Sequence, residues 1–119
     1  MSEYKLGMVE SKFADIIWCN EPVTSRELAK LAFEQLEWKK STTYTVLKRL
    51  CERGIFINDN GVVRSIITKT DFYALQSEEF VDESFNGSLP AFVAAFSSRK
   101  KLSDDEIEQL QRMIDSMRR

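Results

Sequence analysis

The sequence contains no histidine among its 119 residues. That absence removes the commonest general base, the commonest metal ligand and the usual pH switch together. Cysteine is scarce. Cys19 and Cys51 stand alone and form no CxxC pair, so neither a metal knuckle nor a disulfide framework is indicated. Both fall on or beside apolar stripes, where small buried hydrophobes are expected. Four Gly and two Pro leave no linker-rich or low-complexity stretch. The longest uninterrupted apolar run is Ala91 to Phe96, far short of the roughly 20 residues a bilayer span needs. The start, MSEYKLG, lacks the basic-then-apolar design of a signal peptide, so a cytoplasmic protein without membrane association is expected. A surplus of positive charge is also missing, since 17 basic residues face 19 acidic ones. Taken whole, a net charge of −2 argues against a polyanion partner.

Divided along the chain, the charge reads differently. Residues 1–70 carry 11 basic and 9 acidic side chains, and residues 71–119 carry 6 and 10. Between residues 38 and 53, Lys39, Lys40, Lys48, Arg49 and Arg53 face only Glu52. Binding to a polyanion depends on the local field rather than the total, so this segment is a candidate.

Hydrophobic periodicity places a first helix at about Met8 to Cys19, with Val9, Phe13, Ile16 and Ile17 on one stripe. Asn20-Glu21-Pro22 ends it. Thr24-Ser25-Arg26-Glu27 is a capping box, with Val23 and Leu28 positioned as a staple. The second helix presents Leu28, Ala32, Phe33 and Leu36. A short break near Glu37 leads to a third helix, Ser41 to Arg53, closed by Gly54. Then the period changes. Ile55 to Ile57 and Val62 to Thr68 are β-branched and aromatic, joined by Asn58-Asp59-Asn60-Gly61, a strong hairpin signal. Three helices and a hairpin in this order are a winged helix-turn-helix, the three-helix module with a β-hairpin wing. The expected class is α+β, mainly helical. The module occupies residues 1–70, and a three-helix dimerisation region occupies residues 71–119.

At 100° per residue the third helix turns Thr43, Val46, Leu47 and Leu50 inward. Ser41, Thr42, Tyr44, Thr45, Lys48 and Arg49 remain outside, with no carboxylate before Glu52. Short hydroxyls, one aromatic and two cations suit base edges and phosphates in a major groove. Threonine is a poor helix former and adds nothing on a purely solvated face, so its density here weighs towards contact. Lys39 and Lys40 lie at the helix entrance. Arg64 alternates outward on the wing, within reach of a phosphate. Trp38 is expected to pack beneath the third helix.

The remaining helices are too apolar for their size. Phe72, Phe80 and Phe85 mark one, Phe92 and Phe96 a second that starts at Ser88 and Pro90. Ile107, Leu110 and Ile114 mark a third that follows the capping box Ser103 to Glu106. Burial against a second copy of the chain is the expected use of these eight residues.

The string Trp38-Lys39-Lys40-Ser41-Thr42-Thr43-Tyr44-Thr45-Val46-Leu47-Lys48-Arg49-Leu50, with Arg53-Gly54 and the hairpin behind it, resembles the penicillinase-repressor family (BlaI/MecI/CopY). Ile16-Ile17-Trp18, Phe85-Asn86-Gly87-Ser88 through Phe96, and Leu102-Ser103 extend the likeness over nearly the whole chain. The resemblance implies a dimeric transcriptional repressor on double-stranded operator DNA of two-fold symmetry. Its reading positions would be Ser41, Thr42, Tyr44, Thr45, Lys48 and Arg49. The copper-responsive branch ends in a cysteine cluster, whereas this chain ends Met117-Arg118-Arg119. The antibiotic-responsive branch has a cleaved Asn-Phe bond where this chain has Ala95-Phe96.

The leading expectation is therefore a sequence-specific repressor, not an enzyme, with no cofactor and no metal. The alternative is a winged-helix module for protein–protein contact, since fold does not fix function.

Overall fold

Residues 5–118 are described by a computed structural model. The first four residues of the MSEYKLG start, and Arg119 at the other terminus, lie outside the described residues. Helix α1 (Met8–Asn20) buries Phe13, Ala14, Ile16 and Ile17, and Asn20 donates from its side chain to the Ile16 carbonyl at 2.7 Å. Val9, expected on that stripe, is exposed, because the first turn of α1 projects beyond the core. Cys19 is exposed too and Cys51 only half-buried, against the expectation of two buried thiols. Burial nevertheless pushes the Cys51 thiol up from its ordinary value.

Strand β1 (Val23–Thr24) leads into α2 (Ser25–Leu36), whose entrance is capped by the Thr24 hydroxyl accepting from the Glu27 N–H at 3.1 Å. Leu28, Ala29 and Ala32 face the core. Phe33 does not. It is 66% exposed, one position off the buried row. Glu37 adopts a left-handed conformation (φ 57°) at the α2 C-cap, and Trp38 follows it inward to stack near Phe13 at 5.0 Å between ring centroids. Only Glu37, Trp38 and Lys39 separate α2 from α3 (Lys40–Glu52), the tight turn a helix-turn-helix needs.

Gly54, at φ 79°, ends α3 in a conformation that strains any residue with a Cβ. Strands β2 (Phe56–Asp59) and β3 (Val62–Ser65) form the hairpin. Its two turn residues, Asn60 (φ 52°) and Gly61 (φ 85°), match the primed turn that suits twisted strands. The sheet has three strands in the order β1-β3-β2, all antiparallel. Sequence reading missed β1, since two residues are too few to display an alternating period. Its partner pairs, Val23 with Val63 and Thr24 with Val62, fasten the start of α2 to the wing. Glu21 strengthens that corner by accepting from the N–H and hydroxyl of Ser65, each at 2.7 Å.

Helix α4 (Lys69–Phe85) begins two residues earlier than its pattern predicts, with the Thr68 hydroxyl accepting from the Asp71 N–H. Lys69 lies 3.0 Å from Asp15 of α1, and the hydrogen bond and charge of that carboxylate raise the Lys69 pKa. Phe72 is fully buried. Its ring lies 5.6 Å from Trp18, which is 5.2 Å from Phe56 and donates its indole N–H to the Ile67 carbonyl at 3.1 Å. Phe72 was expected on the dimerisation stripe. It is instead a core residue of the winged helix, because the first turns of α4 close over Trp18. The chain accordingly divides into two units between Glu79 and Phe80, nine residues beyond the boundary expected at residue 70.

The second unit contains α5 (Leu89–Arg99) and α6 (Asp104–Met117). Ser88 caps α5, with Pro90 in its first turn, and Ser103 and Glu106 cap α6 reciprocally. Those hydrogen bonds from Ser103 lower the Glu106 pKa. Phe80, Phe85, Phe92 and Phe96 form a chain of ring contacts with centroids 5.6–6.3 Å apart. Neither α5 nor α6 has a buried residue. Between them runs an open groove of about 340 Å³ lined by Phe92, Val93, Phe96, Leu102, Leu110 and Met113.

Candidate nucleic-acid interface

Helix α3 is held by its inner face, where Thr43, Val46, Leu47 and Leu50 are buried. Its outer face is the one expected. Ser41, Thr42, Thr45, Lys48 and Arg49 are exposed, and Tyr44 is half-exposed. Thr45 donates its hydroxyl to the Ser41 carbonyl at 2.9 Å. This leaves the Thr45 oxygen lone pairs and methyl group facing outward, a pairing suited to a donor or a thymine methyl. Lys39 is the N-cap residue. Lys40 sits 5.8 Å above the centroid of the Tyr44 ring, so the aromatic shoulder of the helix carries a cation.

The cations differ in how they are held. Lys48 makes no ion pair among the described residues. Arg49 lies 3.5 Å from the Glu10 carboxylate of α1. Arg53 donates to the Lys5 carbonyl at 2.7 Å. Arg64 projects from β3 and lies 3.6 Å from Asp59 across the hairpin, both side chains more than half exposed. Such a pair contributes little stability and yields readily to a phosphate. Nothing in the sequence pointed to Glu10. It lies off the apolar stripe of its helix, and its partner is 39 residues away.

Among the described residues no group of Cys, Asp and Glu converges to hold a metal ion, and no helix is long and apolar enough to cross a membrane. The geometry thus consists of an exposed polar helix, a wing and an open apolar second unit. Residues 6–116 match the penicillinase repressor family. The chain belongs to that family. The methicillin resistance regulatory protein MecI of Staphylococcus aureus (strain Mu50) is 26% identical over 117 residues, covering 94% of both chains. The penicillinase repressor of Bacillus licheniformis is 24% identical over 115 residues, covering 93% of this chain and 90% of that one. A penicillinase repressor of Staphylococcus aureus is 22% identical over 119 residues. The penicillinase repressor family is one of DNA-binding transcriptional repressors and not of enzymes. In this member the helix-turn-helix, the wing and the six helices all lie within the matched span.

Proposed function

We propose that this chain represses transcription in the cytoplasm as a homodimer bound to a two-fold-symmetric operator, with α3 of each copy in a major groove. The observation that carries this reading is the outer face of α3. Its first two turns present Ser41, Thr42, Tyr44, Thr45 and Lys48 to solvent, with no carboxylate before Glu52. Lys39, Lys40, Lys48 and Arg49 neutralise phosphates, and Arg64 adds a contact from the wing. Tyr44 and Thr45 read base edges, with Ser41 and Thr42 near the backbone where the helix enters. Phe80, Phe85, Phe92, Phe96, Ile107, Leu110 and Ile114 are buried between copies. Dimerisation places two recognition helices about 34–36 Å apart, or at multiples of that spacing. Occupying the promoter suffices for repression; no bond is made or broken.

The test is selection of bound fragments from random and genomic duplexes at stated salt. Recovery of a palindromic sequence supports the reading. Recovery of no preferred sequence overturns it and favours a protein-binding winged helix. On the selected fragment, Lys48→Ala is expected to flatten the dependence of log affinity on log salt by about 0.9. Thr45→Ala is expected to change preference at one base pair by about 1–3 kcal/mol while leaving that slope unchanged. Titrations on single-base variants of the fragment separate the two effects.

A further inference from the structure

Glu10 stands apart from the other acidic residues of the winged helix. Its side chain is only 25% exposed, and both carboxylate oxygens are engaged. Oε1 accepts from the Gly7 N–H at 3.2 Å, closing the first turn of α1. Oε2 accepts from Arg49 Nη1 at 3.5 Å, joining α1 to the reading helix. Arg49 keeps 57% of its side chain exposed. One of its five donors thus points back to α1, while the guanidinium remains open to an outside ligand. A surface arginine ordinarily samples many rotamers and loses that freedom when it binds. Here a fixed anion has already removed part of it.

We infer that Glu10 is a positioning residue for Arg49, setting the guanidinium on α3 so that it meets one phosphate of the operator in one geometry. This rests on the proposed operator binding. Glu10 touches no DNA itself and acts only through Arg49. It also has a second effect of known sign, since a carboxylate beside the reading face weakens attraction to any polyanion. Glu10 therefore lowers affinity for arbitrary DNA while favouring the sequence that puts a phosphate where Arg49 is held.

The probe is Glu10→Gln. Glutamine keeps an oxygen for the Gly7 N–H and is accepted at this helical position, so the cap survives while the charge is lost. Binding is measured with the full chain on the selected operator fragment and on a scrambled duplex of equal length. Glu10→Gln is expected to raise affinity for the scrambled duplex about two- to fivefold. The operator-to-scrambled ratio is expected to fall about three- to tenfold. In an Arg49→Ala background, Glu10→Gln is expected to leave that ratio unchanged, which a general loosening of the fold would not do. An unchanged ratio in the single variant overturns the inference, as does an equal fall in the Arg49→Ala background. If the wild-type chain itself does not distinguish the two duplexes, the operator-binding reading fails first, whatever Glu10 does.

Discussion

Phe72→Ala is expected to destabilise the winged-helix unit by about 3–5 kcal/mol, read as a lower midpoint in denaturant unfolding with a nearly unchanged slope. The ring is fully buried, lies 5.6 Å from Trp18 and meets Tyr73 edge-on at 5.3 Å. Removing it deletes contacts on several sides and leaves a cavity that the indole of Trp18 cannot fill, because its N–H is fixed to the Ile67 carbonyl. A residue at a subunit interface behaves differently: its truncation shifts the monomer–dimer equilibrium and makes the midpoint depend on protein concentration. The same reasoning places the useful cut in the chain. Ending it after Thr70 removes Phe72 and is expected to leave a module that unfolds readily. Ending it after Glu79 retains the whole aromatic cluster and is expected to leave a folded one.

The second large effect concerns α6. Ile107 and Ile114 are each 50% exposed and Leu110 is 38% exposed. Under the proposed dimer, Leu110→Glu together with Ile114→Glu places two carboxylates in a desolvated interface, where neither has a partner. The expected result is a monomer by sedimentation, with the winged helix still folded. Operator affinity is then expected to drop by about 10²–10⁴-fold. The second half-site is no longer delivered at the effective concentration that a linked copy provides. Binding to a single half-site is expected to change little, since α3 is untouched. A dimer that persists in the double variant, with operator affinity intact, contradicts the assignment of this stripe to the interface.

Both predictions rest on surfaces that sequence and structure report unequally. The order of elements was readable from local signals. Gly54, Asn60-Gly61 and the Ser103 to Glu106 box each dictate a backbone conformation within a few residues. The inner row of α3 was readable because a 13-residue amphipathic helix repeats its pattern several times. Val9 and Phe33 were misplaced for the opposite reason. A stripe is an angular average, and an apolar residue near a helix end or one step off the row satisfies the period without meeting the core. Phe72 failed in the same way. Periodicity grouped it with Phe80 and Phe85 on one helix, but says nothing of which neighbours that helix meets along its length.

The sequence alone determined that this protein is an assembly of short helices with a hairpin wing, that its basic charge is local, and that a histidine-free chain binds rather than catalyses. These follow from composition and from interactions spanning four residues or fewer. The tertiary structure decided which cations are held and which are free. Lys48 and Arg49 are adjacent and look equivalent in the sequence, yet only Arg49 meets a carboxylate. That contact joins residues 39 apart, and it exists because the packing of α1 and α3 in one core brings their exposed edges together. Local rules carry no information about such a meeting, since it depends on where two separately formed helices come to rest.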